Sequence, residues 1–276
     1  MKDKPIRLII PLSVVIILCV SSILKSQNFI RQITLPSSEF KRIAVEPGTF
    51  AQWLRELPLK APGTDVLNYR GGIFKTGTDT AVAAVVDWDI SGRRLEQCMD
   101  IVVRFYAEYI WEKNKGNELS LPLPGGYWLA WVNWKQGYRP IFKGIDVQQL
   151  LVSKPDSTYY TFNKYLNTIF SASYTQQFYH AYQVVERKNV KIGDFIIKKG
   201  TKGHTVMIVD LAQNDTGDLI ALIGNGDTPA CQFFLLKSVT GDPWIRLKFD
   251  QENIDLPLKT KMSWDGLRRF DLPKLK

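Results

Sequence analysis

Hydrophobic positions fall into two regimes along this chain. Over much of residues 91–186 they recur every three or four places, the helical period. After residue 191 they come as short continuous runs separated by glycine and asparagine turns, the mark of strands. In the first regime Leu95, Cys98, Val102, Phe105 and Tyr109 form one stripe. It predicts a helix over 91–111, along which Arg104 and Glu108, four apart, can pair. Two more helices are predicted over 158–170 (Tyr159, Phe162, Leu166, Ile169) and 175–186 (Phe178, Tyr182, Val185). In the second regime, apolar runs at 195–197 and 206–209 flank a polar tip bracketed by Gly200 and Gly203, which reads as a hairpin. A turn at 214–218 leads to strands over 219–223 and 231–236, with late strands at 243–247 and 262–270. Upstream, Thr49 caps a short helix over 50–57 with Gln52 as its capping-box partner, and Pro58 ends it. Gly71-Gly72 makes a turn and residues 81–88 a strand. Helices followed by an antiparallel meander give an α+β layout.

Composition changes this picture little. With 45% hydrophobic and 12% aromatic residues the chain is globular rather than disordered. The amino terminus is different in kind. Lys2, Lys4 and Arg7 precede residues 8–24, which carry no charge, so residues 1–25 read as a signal peptide or a membrane tether. Residues 26–48 then form a linker and 49–276 a single domain, exported to the periplasm or held at the cell envelope. Leu18 ahead of Cys19 is too large for a lipidation site. The net charge is +9, of which residues 1–25 contribute +3. The other basic residues are scattered in pairs such as Arg187/Lys188 and Lys198/Lys199, without a basic-aromatic stripe, which suits an anionic envelope and not nucleic acid. There is no phosphate-binding loop, dinucleotide fingerprint or zinc spacing, so no organic cofactor or metal is implied.

Candidate chemistry lies at element ends. His204 stands at the mouth of a buried strand, rigidly placed yet near solvent, as a general base should be. The turn at 214–218 brings Asn225 beside it, able to fix its tautomer. Cys98 lies near the start of the first long helix. An imidazole and a helix amino terminus would both lower its pKa, giving a thiolate–imidazolium pair, and Gln97 and the Cys98 N–H could donate to an oxyanion. Other readings stay open. His204 could be a polar strand end, and Cys98 a packing thiol if Ser91 is the true cap. Cys98 and Cys231 could also pair in an oxidising compartment. The aromatics of 116–145 are either core or the wall of a groove for sugar or peptide, and His180 reads as surface.

Gln97-Cys98, Gly193-Asp194, the run from Gly203-His204 to Val209, and Gly224-Asn225 resemble the papain-like amidohydrolases and peptidases of bacterial walls. The nearest are the NlpC/P60 and cysteine/histidine-dependent amidohydrolase/peptidase groups. The resemblance implies helices packed on an antiparallel sheet, with a large insertion around 116–190. It makes Cys98 the nucleophile, His204 the base, Asn225 the orienting group and Gln97 an oxyanion donor, acting on peptidoglycan peptide or another amide. The alternative is a non-catalytic envelope module using the 128–138 region as its surface. Over its whole length the chain is more similar to an exported bacterial family, domain of unknown function 4846. That similarity rests on Gln97-Cys98 with Arg104 and Glu108, on Gly193-Asp194 and Gly203-His204, and on Pro229-Ala230; the family carries no established activity.

Overall fold

A computed structural model describes residues 28–270. The predicted signal or tether at 8–24 lies outside them. Among the described residues no helix is long and apolar enough to cross a membrane.

The architecture is α+β, with five helices and antiparallel sheets among the described residues. The strands of the main sheet are β1 (Lys41–Arg42), β2 (Val82–Val85), β3 (Gln183–Val184), β4 (Phe195–Lys198), β5 (His204–Gln213), β6 (Leu219–Asn225), β7 (Phe234–Leu236), β8 (Ile245–Arg246) and β9 (Leu267–Arg269). Their order is β3-β9-β4-β5-β6-β7-β2, with β1 also on β5 and β8 also on β6. The helices are α1 (Phe50–Arg55), α2 (Cys98–Glu112), α3 (Trp131–Lys135), α4 (Tyr159–Ala172) and α5 (Thr175–Ala181).

The central strands are continuous apolar runs because both their faces are buried. Phe195, Ile197, Met207 and Val209 pack on the helix side, while Ile196, Val206 and Ile208 pack on the other. A bulge at Val209 shifts the phase, since Ile208 faces Ile223 whereas Asp210 faces Leu222. It turns Asp210 toward α1, where Arg55 Nε and Arg42 Nε each donate to its carboxylate at 2.7 Å. A fully buried carboxylate is tolerable there because two guanidiniums share it.

A second buried ion cluster sets where α2 begins. Arg104, 1% exposed, donates to Glu108 Oε1 at 2.5 Å, Glu96 Oε1 at 2.9 Å and the Tyr159 hydroxyl at 2.9 Å. The helix therefore starts at Cys98 and not at Ser91, and Leu95 precedes it. Ser91-Gly92 form a turn instead, with Gly92 at φ +70° and the Ser91 N–H on Asp89 Oδ1. Holding Glu96 against Arg104 outweighs the better capping propensity of serine.

Other expectations shift as well. Thr49 caps α1 as its sequence suggests, but Gln52 Oε1 accepts from the Gly48 N–H at 2.5 Å, one residue before the cap. The predicted helix over 175–186 ends at Ala181, and Gln183–Val184 become an edge strand on Arg268 and Arg269. Tyr182 and Val185 stay buried, so their spacing reported burial rather than helix. Within 116–151 the chain forms α3 and a hairpin of Tyr138–Lys143 with Asp146–Leu151, while Trp131 and Trp134 are core. The strand predicted over 231–236 is confined to Phe234–Leu236, and Cys231 instead makes an isolated bridge to Asn68. The sheet is no plain meander either. β2, from early in the chain, closes one side, and β9, from its end, pairs between β3 and β4.

Arg104→Met should destabilise the fold by about 3–5 kcal/mol, because two buried glutamates lose their shared cation. Urea unfolding should show a lower midpoint at unchanged slope. The same change at Arg31, whose pair with Glu56 is half exposed, should leave the midpoint nearly fixed.

Candidate functional site

The ladder pairs Val206 with Asn225, which puts His204 and Asn225 at adjacent strand ends. His204 Nε2 lies 2.7 Å from Asn225 Oδ1. An amide oxygen only accepts, so Nε2 carries the proton and Nδ1 is the ring nitrogen left to act as a base. Asn225 is fully buried, and among the described residues its Nδ2 has no hydrogen-bond partner. A buried amide left half-satisfied costs about 1–3 kcal/mol, a burden more typical of a working site than of a packing residue.

The next residue joins the sheet to α2. A Cβ on Gly226 would sit 2.6 Å from Ile101 Cγ2 and 3.4 Å from Cys98 Cα, so only glycine lets the loop lie on the helix's first turn. Thr205 Oγ1 donates to Met99 Sδ at 3.4 Å from the same side. Cys98 is thus the first residue of α2, with Gln97 as its cap. The Gln97 N–H donates to Asp100 Oδ2 at 3.1 Å, and Gln97 Oε1 accepts from Thr228 Oγ1 at 2.8 Å. That leaves the Gln97 side-chain NH₂ as a donor.

Cys98, His204, Gln97 and Asp100 all line one cleft of about 930 Å³, whose far walls are the end of α4, the start of α5 and the tip at 200–203. Gly203 permits this closure, since a Cβ there would sit on Thr175 Oγ1 of α5. Asn225 stands behind His204. The four residues singled out from the sequence are therefore brought to one place.

The electrostatics differ from the expected thiolate–imidazolium pair. Burial pushes the Cys98 thiol up to about 12, and the Asp100 carboxylate adds to it. The Met99 N–H pulls the other way, Asp227 raises it again, and the Thr205 N–H lowers it. The helix terminus does not offset that burial, so the resting group is a thiol. Burial also holds the Asp100 carboxyl well above its ordinary value; the Gln97 N–H opposes this, and Glu96 reinforces it. Asp100, Asp227 and Thr228 were missed in the sequence. Asp100 becomes visible only once Gln97 is known to be the cap, since it then sits at the third helical position. Cys98 and Cys231 are both free thiols, so the structure does not hold the disulfide alternative. His180 is exposed, as expected of it. Among the described residues no three His, Cys, Asp or Glu side chains could hold a metal ion.

The family model for domain of unknown function 4846 matches residues 30–268. The chain belongs to this family. No curated protein and no solved structure is detectably similar to it. The family match spans every element of the cleft, from the Gln97–Cys98 cap through the 227–228 loop. The domain 4846 assignment thus covers the site while naming no reaction for it.

Two titrations test the electrostatics. In native protein, alkylation of Cys98 by iodoacetamide, followed by peptide mapping, should accelerate about tenfold per pH unit between about pH 7 and 9. A flat profile would mean a resting thiolate. A carboxyl raised in the fold keeps its proton longer than in the unfolded chain, so its contribution to stability falls as pH rises above the ordinary 3.8. Asp100→Asn, which can still accept from Gln97, should gain melting temperature relative to the parent as pH climbs from about 4 to 7.

Proposed function

We propose that this chain is a thiol amidohydrolase or peptidase of the bacterial cell envelope, built on a papain-like core. The observation that carries the reading is that Cys98 and His204 wall one cleft while Asn225 holds Nε2 of the imidazole. A helix that starts with the thiol and packs against an antiparallel sheet bearing the imidazole and carboxamide is the layout expected of papain-like enzymes. The residues between α2 and β4 are then the large insertion.

Because the resting group is a thiol, deprotonation accompanies attack. His204 Nδ1 takes the Cys98 proton as the sulfur bonds to the substrate carbonyl carbon. The carbonyl oxygen becomes an oxyanion, met by the Gln97 NH₂ and the Cys98 N–H, which has no partner within the helix. Collapse expels the amine, which takes the proton from His204; water, deprotonated in turn by His204, then attacks the acyl carbon, and the product acid leaves as the sulfur takes that proton back from His204. Asn225 holds the ring so that the same nitrogen serves both steps. The exported, peptidoglycan-directed role follows from the charge pattern and the amino-terminal run, and is part of the proposal.

A second reading has one observation in its favour. Cys98 is 5% exposed and its proton affinity is high, as for an inert packing thiol in a non-catalytic envelope module. Incubation with purified peptidoglycan, scored by newly released amines, separates the two. Cys98→Ser and His204→Ala should each lose about 10²-fold or more, and Asn225→Ala about tenfold. Full activity in Cys98→Ser would overturn the hydrolase reading.

A further inference from the structure

A second cavity, of about 370 Å³, lies between the turn at 122–128 and α5. Gln176 and Gln177 line both it and the Cys98 cleft, so the two cavities are neighbours on either side of this pair of side chains. Its walls are Leu123, the half-buried Trp128, the two glutamines and His180. No carboxylate or ammonium lines it.

The hydrogen-bonding capacity of this wall can be read off. Gln176 Nε2 lies 2.8 Å from His180 Nε2 and can only donate, so His180 Nδ1 carries the proton and Gln176 Oε1 is left to accept. Gln177 Oε1 accepts from the Tyr174 N–H at 2.7 Å, which leaves its NH₂ to donate. One uncharged wall therefore offers two donors and an acceptor beside an indole. The position is also held in place, since Trp128 packs edge-on to Tyr182 and Ser173 Oγ donates to Pro122 O at 2.8 Å. Alternating neutral donors and acceptors beside an aromatic surface, in a cavity the size of a small-ligand pocket, suit a ligand dense in hydroxyl and acetamido groups. A peptide backbone would more often be met by a strand edge, and an anion by fixed positive charge.

We propose that this cavity is a saccharide subsite, which seats an N-acetylated sugar while the amide it carries reaches Cys98. The saccharide binding stands by itself; the placement of the amide rests on the amidohydrolase reading.

The test uses the full chain with Cys98→Ala, so that no chemistry is needed, and the tetramer of β-1,4-linked N-acetylglucosamine as probe. Calorimetric titration should show saturable binding. His180→Ala and Gln176→Ala, both at exposed positions, should each weaken it about tenfold, equivalent to about 1.4 kcal/mol. Trp128→Ala should weaken it further. Absence of saturable binding, binding unchanged in His180→Ala and Gln176→Ala, or full displacement by a free wall-type tetrapeptide would each overturn the subsite. Saccharide binding without amide release by the parent chain would sink the hydrolase reading and leave the subsite standing.

Discussion

Everything in this fold is arranged around two strands that are buried on both faces. β5 and β6 have no side open to water along their central residues, so each polar group they carry needs a partner inside the protein. Asp210 finds two arginines. At the other end of the pair, His204 and Asn225 find each other, and there the ladder opens onto a cleft. A polar pair at the end of an apolar ladder is held rigidly by the hydrocarbon behind it while solvent reaches it from the front. That is the physical reason a site can exist at this place.

The helix side of the cleft depends on a different kind of force. α2 is almost wholly buried, and its first turn is fixed from two directions. Arg104 draws Glu96 inward and so ends the preceding loop one residue before Gln97. Gly226 admits the loop after Asn225 to within contact of Cys98. Charge neutralisation sets the register of the helix along its axis, and the missing Cβ sets its distance from the sheet. Together they place the thiol on the cleft that the imidazole also lines. The ion cluster also ties α4 to α2 through Tyr159, so the far wall of the cleft inherits the same register.

How much of this was legible follows from which forces were local. The runs at 195–197 and 206–209 lack polar alternation, and that absence correctly reported strands covered on both faces. His204 and Asn225 could be paired from the sequence because a short turn joins their strands and fixes the ladder. The start of α2 could not, since glutamine is a weak cap and serine a good one, and a buried ion pair between Glu96 and Arg104 overrode that preference. The end of α5 was hidden for a related reason. Phe178, Tyr182 and Val185 are all buried, but pairing with β9 took the last of them into extended chain. Gly226 carried no visible signal beyond following Asn225, because its role is defined by a helix more than a hundred residues earlier.

The state of the thiol is the point on which site and fold meet. A cysteine at a helix start beside an imidazole is expected to ionise, yet here the same close packing that sets Cys98 against the loop at Gly226 strips the sulfur of water, and Asp100 and Asp227 oppose a negative charge on it. The two effects cannot be separated by moving the helix. Retracting α2 to hydrate the sulfur would break the approach at Gly226. A buried thiol of high proton affinity is a poor standing nucleophile but a stable one, slow to be alkylated or oxidised. An amide that displaces water and places its carbonyl against the helix terminus would supply the missing partner, so that transfer of the proton to His204 and bonding of the sulfur proceed together. On the proposed amidohydrolase reading, the substrate is part of what activates the nucleophile.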